Sequence, residues 1–260
     1  MLSFERQEII LDILKKNKNI SIVELSKQLN ASLNTIRTDL ENMEKEGLVI
    51  RVRGGVSLPS SNISSTNNNI GLRYQRNLNE KRIIAREVIK DLPDDKDFSI
   101  FMDSSTSAMQ VAYAMAELPK RCTVITHFTN IAHILSVNPR ISVILCGGIW
   151  WANENCVIGP EAVFMLDSYR ADISIIGCTS IKIAEGLFNV NIETVPVKKK
   201  MIDNSNKTWL VCDSSKFGQS SLVKIASFKE INRIYTDKAP SEEWIEYFTS
   251  INLDLHYPKK

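Results

Sequence analysis

Short polar clusters follow two apolar runs in the second half of the chain. Residues 103–107, Asp-Ser-Ser-Thr-Ser, come after one such run, and residues 213–218, Asp-Ser-Ser-Lys-Phe-Gly, come after another. Hydroxyls and free amides at a helix N-terminus bind anions, although the first cluster taken alone would suggest simple N-capping. A carboxylate accepts hydrogen bonds from hydroxyls, and a lysine ammonium attracts a phosphate. These residue types predict a site for a small, anionic, polyhydroxylated molecule.

Two further clusters end apolar runs in the same way. Thr126 and His127 end one run, and Gly147 with Gly148, which let backbone approach a ligand closely, ends the next. Ligands of open α/β sheets bind beyond the carboxyl ends of the strands. Four clusters at equivalent strand ends therefore predict one pocket, with these effector-binding residues: Asp103, Ser105, Thr106, Ser107, Thr126, Gly147, Gly148, Asp213 and Lys216.

A second kind of chemistry lies in the first 58 residues. Two short helical patterns are joined by a tight turn, and the second, capped by Ser32, turns Ile36 and Leu40 inward. Polar side chains then face outward, where they would reach groove edges and phosphates. The pattern predicts a helix-turn-helix, against the alternative of a small helical domain with a solvated face. The predicted DNA-binding residues are Ser32, Asn34, Thr35, Arg37, Thr38, Arg51 and Arg53.

The elements that position this helix are local. Apolar spacing predicts a first helix after Ser3, and a capping box at Ser21 and Glu24 opens the second. Gly47 ends the third helix. Strands at 48–52 and 56–58 then flank an Arg53-Gly54-Gly55 turn, so residues 3–58 are predicted to form a winged helix-turn-helix domain.

Residues 59–72 are rich in Ser and Asn and are predicted to be a linker. From residue 73 to residue 260, apolar strand patterns alternate with helical ones. Strands that are apolar on both faces indicate a parallel sheet covered by helices on both sides. The predicted fold class is therefore α/β, with a Rossmann-like second domain whose strands are 98–103, 123–126, 141–148, 172–178, 208–213, 233–237 and 252–257.

Composition excludes several classes of protein. The hydrophobic fraction is 43%, and no apolar run approaches the roughly 18 residues of a membrane span. Five scattered cysteines without metal-ligand spacing indicate a reducing compartment, so we expect a cytoplasmic protein without a metal or cofactor. Residues 1–58 hold nine Lys and Arg against eight Asp and Glu, a net charge of +1. DNA binding must therefore depend on where the charges lie.

The first domain resembles the DeoR family of bacterial repressors. The matching residues are Ser32-x-x-Thr35-Ile36-Arg37-x-Asp39-Leu40, Gly47 and Arg51-x-x-Gly54-Gly55, in register with Arg6, Glu24 and Leu25. The resemblance implies that helix 32–46 is the recognition helix and that 48–58 is the wing. The family usually has Arg at position 38 and His at position 53, where this chain has Thr38 and Arg53. These departures leave the operator sequence open.

The chain from about Lys81 to its end resembles the sensor domain of the same family, with DSSKFG (213–218) as the most specific element. The resemblance implies a sugar-phosphate-isomerase-like fold and a phosphorylated sugar as effector. The family has a Glu-Ala pair where this chain has Thr194, and we assign its role to Glu193, one residue away. Lys198 is also assigned to the effector, against the alternative that 198–200 form a solvated basic face.

The function predicted from these features is a ligand-controlled repressor of a carbohydrate-metabolism operon, without catalytic residues. Its predicted partners are double-stranded operator DNA and a phosphorylated sugar, and a homo-oligomer is expected because such proteins read two half-sites. One alternative is a sugar-phosphate isomerase using Asp103, Glu193 and Lys216; another is a constitutive DNA-binding protein. Trp150 and Trp151 either line the sugar side of the pocket or form a subunit contact.

Overall fold

The computed structural model describes residues 3–17, 19–45, 48–52, 55–57, 70–94 and 97–259. The chain forms two compact units, Met1–Arg76 and Asn77–Lys260. The predictions made for Gly47, Arg53, Gly54 and most of the linker lie outside the described residues. The last three residues of the predicted linker, 70–72, begin helix α4 (Ile70–Gln75).

The first unit contains the three predicted helices, α1 (Ser3–Lys16), α2 (Ile22–Gln28) and α3 (Leu33–Lys45). The predicted capping box is confirmed, because the Ser21 hydroxyl accepts from the Glu24 amide at 3.1 Å and the Glu24 carboxylate accepts from the Ser21 amide at 3.1 Å. Asn30 turns the chain with a φ of 47°. The helix-turn-helix is therefore formed as the sequence predicts.

The wing has three strands where two were predicted. Strand β3 (Gly55–Ser57) lies between β2 (Ile50–Val52) and β1 (Asn19–Ile20), and all pairs are antiparallel. The close approach of β1 requires a glycine, because a Cβ at Gly55 would lie 2.2 Å from the carbonyl oxygen of Ile20. Strand β1 was not predicted, since two residues carry no periodicity.

One ion pair ties the first helix to the recognition helix. The Arg6 guanidinium donates to both carboxylate oxygens of Asp39, at 2.7 and 3.2 Å. The Asp39 side chain is only 3% exposed. Around this pair lies an apolar core that fixes the orientation of α3, formed by residues such as Ile10, Leu14, Leu25, Ile36, Leu40 and Met43.

The second unit is built on a seven-stranded parallel sheet, as predicted. Its strands run in the order β15-β14-β12-β9-β4-β5-β6. The chain moves outward from β4 to β6 and then returns to the other side of β4, so the order reverses between β4 and β9. The strand bounds are β4 (Phe98–Met102), β5 (Cys122–Thr126), β6 (Ile141–Leu145), β9 (Ala171–Ile176), β12 (Ser205–Val211), β14 (Arg233–Tyr235) and β15 (Asp254–His256).

Helices cover both faces of this sheet. Helix α6 (Thr106–Ala116) packs against α5 (Leu78–Lys90) and α7 (Thr129–Leu135). The other group shares one hydrophobic cluster and consists of α8 (Pro160–Asp167), α9 (Val195–Asp203) and α10 (Glu242–Ser250). The predicted fold class is therefore confirmed. Among the described residues, no helix is both long enough and apolar enough to cross a membrane.

The sequence did not predict two smaller elements of this unit. One is an antiparallel hairpin of β7 (Ile149–Trp151) and β8 (Cys156–Ile158). The other is an antiparallel sheet of β10 (Ser180–Lys182), β11 (Gly186–Asn189) and β13 (Val223–Ala226). Strands of three or four residues are too short for a clear alternating pattern.

The Arg6–Asp39 pair gives a stability prediction. Asp39→Asn keeps the side-chain volume but removes the buried negative charge that pairs with Arg6, so we expect a loss of roughly 3 kcal/mol in the free energy of unfolding of the first unit. Urea unfolding followed by circular dichroism measures this. The matched control is Glu41→Gln on the exposed face of the same helix, which should cost less than about 1 kcal/mol. Equal unfolding midpoints for Asp39→Asn and wild type would contradict the prediction.

Candidate functional site

Asp103 lies at the end of β4, beside the point where the strand order reverses. Its side chain is fully buried, and its two oxygens accept from the Ser105 amide at 2.9 Å and the Gly177 amide at 2.8 Å. The Lys198 ammonium pairs with the same carboxylate and donates to the Gly177 carbonyl at 3.1 Å. This ion pair therefore joins the turn after β4, the turn after β9 and helix α9.

The end of β12 lies beside Gly177, in the turn after β9. A Cβ at Gly177 would lie 2.3 Å from the Ser105 hydroxyl oxygen, so this position requires glycine, and it would lie in ordinary van der Waals contact, at 3.6 Å, with the Val211 carbonyl oxygen. The neighbouring Cys178 thiol, together with burial, raises the pKa of Cys212. The ends of β4, β9 and β12 thus converge, as expected for an α/β ligand site.

The first turn of α6 provides an opening for an anion. The Ser105 hydroxyl caps the helix by accepting from the Ala108 amide at 3.1 Å. Thr106 and Ser107 are largely buried in the first turn. The Ser107 amide forms no hydrogen bond with any residue that the structure describes. An amide of this kind at a helix N-terminus stabilises a negative charge.

His127 supports this turn from the neighbouring strand. Its Nδ1 donates to the Val157 carbonyl at 2.8 Å, and its Nε2 accepts from the Ser104 amide at 3.1 Å. Burial, the dominant cause, lowers the pKa of His127 to about 4. The imidazole is therefore neutral at pH 7, with its tautomer fixed by these two hydrogen bonds.

Asp213, at the end of β12, is hydrogen-bonded through only one of its oxygens. Its Oδ1 accepts from the Asn77 amide nitrogen at 2.9 Å, from the Ser215 backbone amide at 3.1 Å and from the Ser215 hydroxyl. Its Oδ2 is buried and has no hydrogen-bond partner among the described residues. An unpartnered buried acceptor costs about 1–3 kcal/mol, which a ligand hydroxyl would recover.

Lys216 lies one turn after Asp213, in a short 3-10 helix (Ser214–Lys216). Its ammonium forms no ion pair within the described ranges, so its charge is available to a ligand. Asp237 fixes the turn by accepting from the Ser214 amide at 2.6 Å and from the Ser214 hydroxyl at 3.1 Å.

Sequence reasoning missed Asn77, Gly177 and Asp237. Gly177 and Asp237 had a signal, since each lies at the end of a predicted strand, as Gly148 and Asp213 do. Asn77 had none, because its partner Asp213 is 136 residues away.

Thr126, Gly147 and Gly148 are the predicted effector residues that follow β5 and β6. Thr126 is fully buried, and its hydroxyl donates to the Met102 carbonyl at 2.7 Å and accepts from the Phe128 amide at 3.1 Å, so it holds strand ends together. Gly147 and Gly148 follow the edge strand β6, which β5 separates from β4. Their part in ligand binding stays a prediction.

Glu193, which was assigned the role of the Glu-Ala pair that the family has at Thr194, does not share the buried environment of Thr194. Glu193 is exposed and forms no hydrogen bond or ion pair with a described residue. Thr194 is buried instead, and its hydroxyl accepts from the Asn189 side-chain amide at 2.8 Å. The basic run 198–200 is not one solvated face, because Lys198 is buried against Asp103 and Lys200 pairs with Asp167 at 2.7 Å.

On the recognition helix, most of the predicted DNA-binding side chains reach solvent. Asn34, Arg37 and Thr38 are exposed and Thr35 is partly so, while the exposed Ser32 caps the helix by accepting from the Thr35 amide at 3.1 Å. On the wing, the Arg51 guanidinium is held by two acids of α3, at 3.3 and 3.0 Å. These acids, Glu41 and Glu44, offset its charge.

Comparison with known proteins identifies both units. Residues 6–62 match the DeoR-like helix-turn-helix domain, and residues 76–238 match the DeoR C terminal sensor domain. The chain belongs to the DeoR family. This confirms the resemblance seen in the sequence, and as a DeoR-family protein the chain is a DNA-binding transcription regulator.

The DeoR-family relatives match over nearly the whole chain. The glycerol-3-phosphate regulon repressor of Escherichia coli (strain K12) is 28% identical over 255 residues, covering 98% of this chain and 99% of that protein. The HTH-type transcriptional regulator GolR of Listeria innocua is 32% identical, covering 98% of each. Among solved structures, ribose 5 phosphate isomerase A from Neisseria gonorrhoeae is similar with a TM-score of 0.39 and 15% identity, over 54% of this chain and 53% of that one.

The depressed pKa of His127 gives a pH prediction. The folded protein keeps the imidazole neutral down to about pH 4, whereas the unfolded chain protonates it near its ordinary pKa of 6.5. Between these values the unfolded chain binds more protons, so the contribution of His127 to stability is complete above pH 6.5 and falls as the pH falls. We expect a loss of about 2 kcal/mol between pH 7 and pH 5.

Urea unfolding of wild type and His127→Gln at both pH values measures this effect. The variant should lose less stability between pH 7 and pH 5 than wild type does. The control is His133→Gln, at an exposed position, which should behave as wild type. The same pH dependence in His127→Gln and wild type would show that His127 is not the titrating group.

Proposed function

We propose that this regulator is a cytoplasmic repressor of a carbohydrate-metabolism operon, and that a phosphorylated sugar bound at the ends of β4, β9 and β12 controls its binding to operator DNA. The observation that carries the proposal is a set of groups at these strand ends that have no hydrogen-bond or ion-pair partner among the described residues. They are the Ser107 amide, the Lys216 ammonium and the Oδ2 atom of Asp213. Two of them attract an anion, and the third requires a donor such as a sugar hydroxyl.

The remaining charges near these groups support binding rather than proton transfer. Both oxygens of Asp103 already accept hydrogen bonds, and its negative charge is balanced by Lys198. Glu193, the other carboxylate considered for isomerase chemistry, is exposed. In the described part of the chain, no three His, Cys, Asp or Glu side chains are grouped as a metal ion would need.

The relatives supply the regulatory setting of the proposal. One of them is named for a glycerol-3-phosphate regulon, and that compound combines a phosphate with hydroxyls. A homo-oligomer is proposed because helix-turn-helix proteins usually read two half-sites. Exposed apolar side chains on β6, β7 and α8 support a subunit contact there: Leu145, Ile149, Trp150 and Phe164.

Arg37 provides the test of the DNA interface. Arg37→Ala should weaken operator binding and flatten the dependence of log Kd on log salt by roughly one counterion, if the guanidinium contacts a phosphate. Fluorescence anisotropy across a potassium chloride series, on a duplex selected from a random library by the wild-type protein, measures both quantities. Arg86→Ala, an exposed arginine of the second unit, is the matched control. An unchanged slope and affinity would remove Arg37 from the interface.

Lys216 provides the test of the sensing site. A sugar phosphate that binds the wild type should raise its melting temperature, and Lys216→Ala should abolish that rise while leaving operator affinity within about twofold, because the two chemistries lie in different units. The panel is glycerol 3-phosphate, ribose 5-phosphate, glucose 6-phosphate and fructose 6-phosphate. The exposed Lys199→Ala is the matched control.

Two outcomes would contradict the sensing proposal. An equal rise in Lys216→Ala and wild type would place the phosphate elsewhere. If no sugar phosphate changes the wild-type melting temperature, the alternative of a constitutive DNA-binding protein is favoured.

A further inference from the structure

Asn77 occupies the junction between the two units. It is the first residue of the second unit, and only Arg76 separates it from the end of α4 at Gln75. Because the chain passes between the units once, every covalent path from the strand-end site to the DNA-binding unit runs through Asn77. Its backbone is left-handed, with φ 54° and ψ 40°. This conformation is uncommon for a residue with a side chain, although asparagine adopts it more readily than most.

The side chain of Asn77 is anchored in the strand-end site. Its amide nitrogen donates to Asp213 Oδ1 at 2.9 Å and to the Ser215 hydroxyl oxygen at 3.0 Å. An asparagine at the N-cap usually accepts from an amide of its own helix, but Asn77 makes no such bond to α5. Its hydrogen-bonding capacity is therefore directed to the site and not to the helix that it precedes.

The unequal use of the Asp213 carboxylate makes this anchor sensitive to a ligand. Asn77 and Ser215 donate to Oδ1, whereas Oδ2 has no partner among the described residues. A ligand hydroxyl that donates to Oδ2 draws the carboxylate toward itself, and a ligand hydroxyl that donates to the Ser215 oxygen competes there with the Asn77 amide. Either change weakens the two hydrogen bonds that hold the Asn77 side chain.

We propose that Asn77 is the positioning residue through which occupancy of the Asp213 site is transmitted to the DNA-binding unit. This inference rests on the proposed function. Asn77 has two states: an anchored state, in which its side chain is hydrogen-bonded to Asp213 and Ser215, and a released state, in which these bonds are broken. The effector favours the released state, because a hydroxyl bound at Oδ2 moves the Asp213 carboxylate away from the Asn77 amide. Such differential binding is what a ligand needs in order to shift an equilibrium. Release frees the backbone at the junction to leave its left-handed conformation.

Asn77→Gly tests the role of the Asn77 side chain separately from the role of its left-handed backbone. Glycine adopts the left-handed conformation without strain, so the variant keeps the junction geometry and removes only the anchor. The matched control is Asn252→Gly, because Asn252 is also left-handed, with φ 53°, but lies in the exposed turn after α10. Both variants are made in the full chain and checked by circular dichroism.

The measured quantity is the ratio of the Kd for the selected duplex with and without the sugar phosphate that most raises the wild-type melting temperature. We expect a ratio of at least about tenfold for wild type and Asn252→Gly, in the range usual for allosteric coupling. For Asn77→Gly we expect a ratio within about twofold of one, although the sugar phosphate still raises its melting temperature. That combination would show that the ligand binds but that its binding no longer affects the DNA-binding unit.

The contrary outcomes are distinguishable. A wild-type ratio retained in Asn77→Gly overturns this inference and leaves the proposed function intact. A wild type that no sugar phosphate affects overturns the proposed function, and this inference with it.

Ser215→Ala gives a second test that does not depend on Asn77→Gly folding. It removes one acceptor of the Asn77 amide and should lower the ratio by at least about twofold. Combined with Asn77→Gly, it should lower the ratio no further, because both changes break one contact. A wild-type ratio retained in Ser215→Ala would contradict the proposed anchor.

Discussion

The buried ion pair between Asp103 and Lys198 is the interaction on which the second unit depends. Two charges can be taken out of water only if each is paired and hydrogen-bonded inside the protein. Here the Ser105 and Gly177 amides and the Gly177 carbonyl complete that requirement. Satisfying one carboxylate therefore fixes the turn after β4, the turn after β9 and helix α9 together. The N-terminus of α6 is held at the reversal of strand order because of this pair.

Some polar residues at the strand ends stabilise the fold, and others remain available to bind a ligand. Asp103, Lys198, Thr126 and His127 have their hydrogen bonds satisfied within the protein, whereas Asp213 Oδ2 does not. The first unit shows the same division. Asp39 holds Arg6 and thereby orients the recognition helix, while Arg37 faces solvent without an ion pair to a described residue. A net charge near zero is thus compatible with DNA binding, because several of the charges are structural.

Features that depend on local pattern could be predicted from the sequence. The Ser21–Glu24 capping box and the seven parallel strands follow from periodicity and capping chemistry, and all are present. Strand β1 has two residues and carries no pattern. Contacts between distant residues left no local signal: Lys198 was assigned to the effector, but its partner Asp103 lies 95 residues away. Glu193 was placed by sequence distance alone, and the buried position next to it is taken by Thr194.

A crystal structure of the full chain with its most stabilising sugar phosphate tests the central claim most directly. We expect the phosphate to lie at the first turn of α6, against the Ser107 amide and within reach of the Lys216 ammonium. We also expect a sugar hydroxyl about 3 Å from Asp213 Oδ2, the ordinary distance of a hydrogen bond. A sugar phosphate bound elsewhere, for example in the groove lined by Arg86, Lys238 and Tyr257, would contradict it.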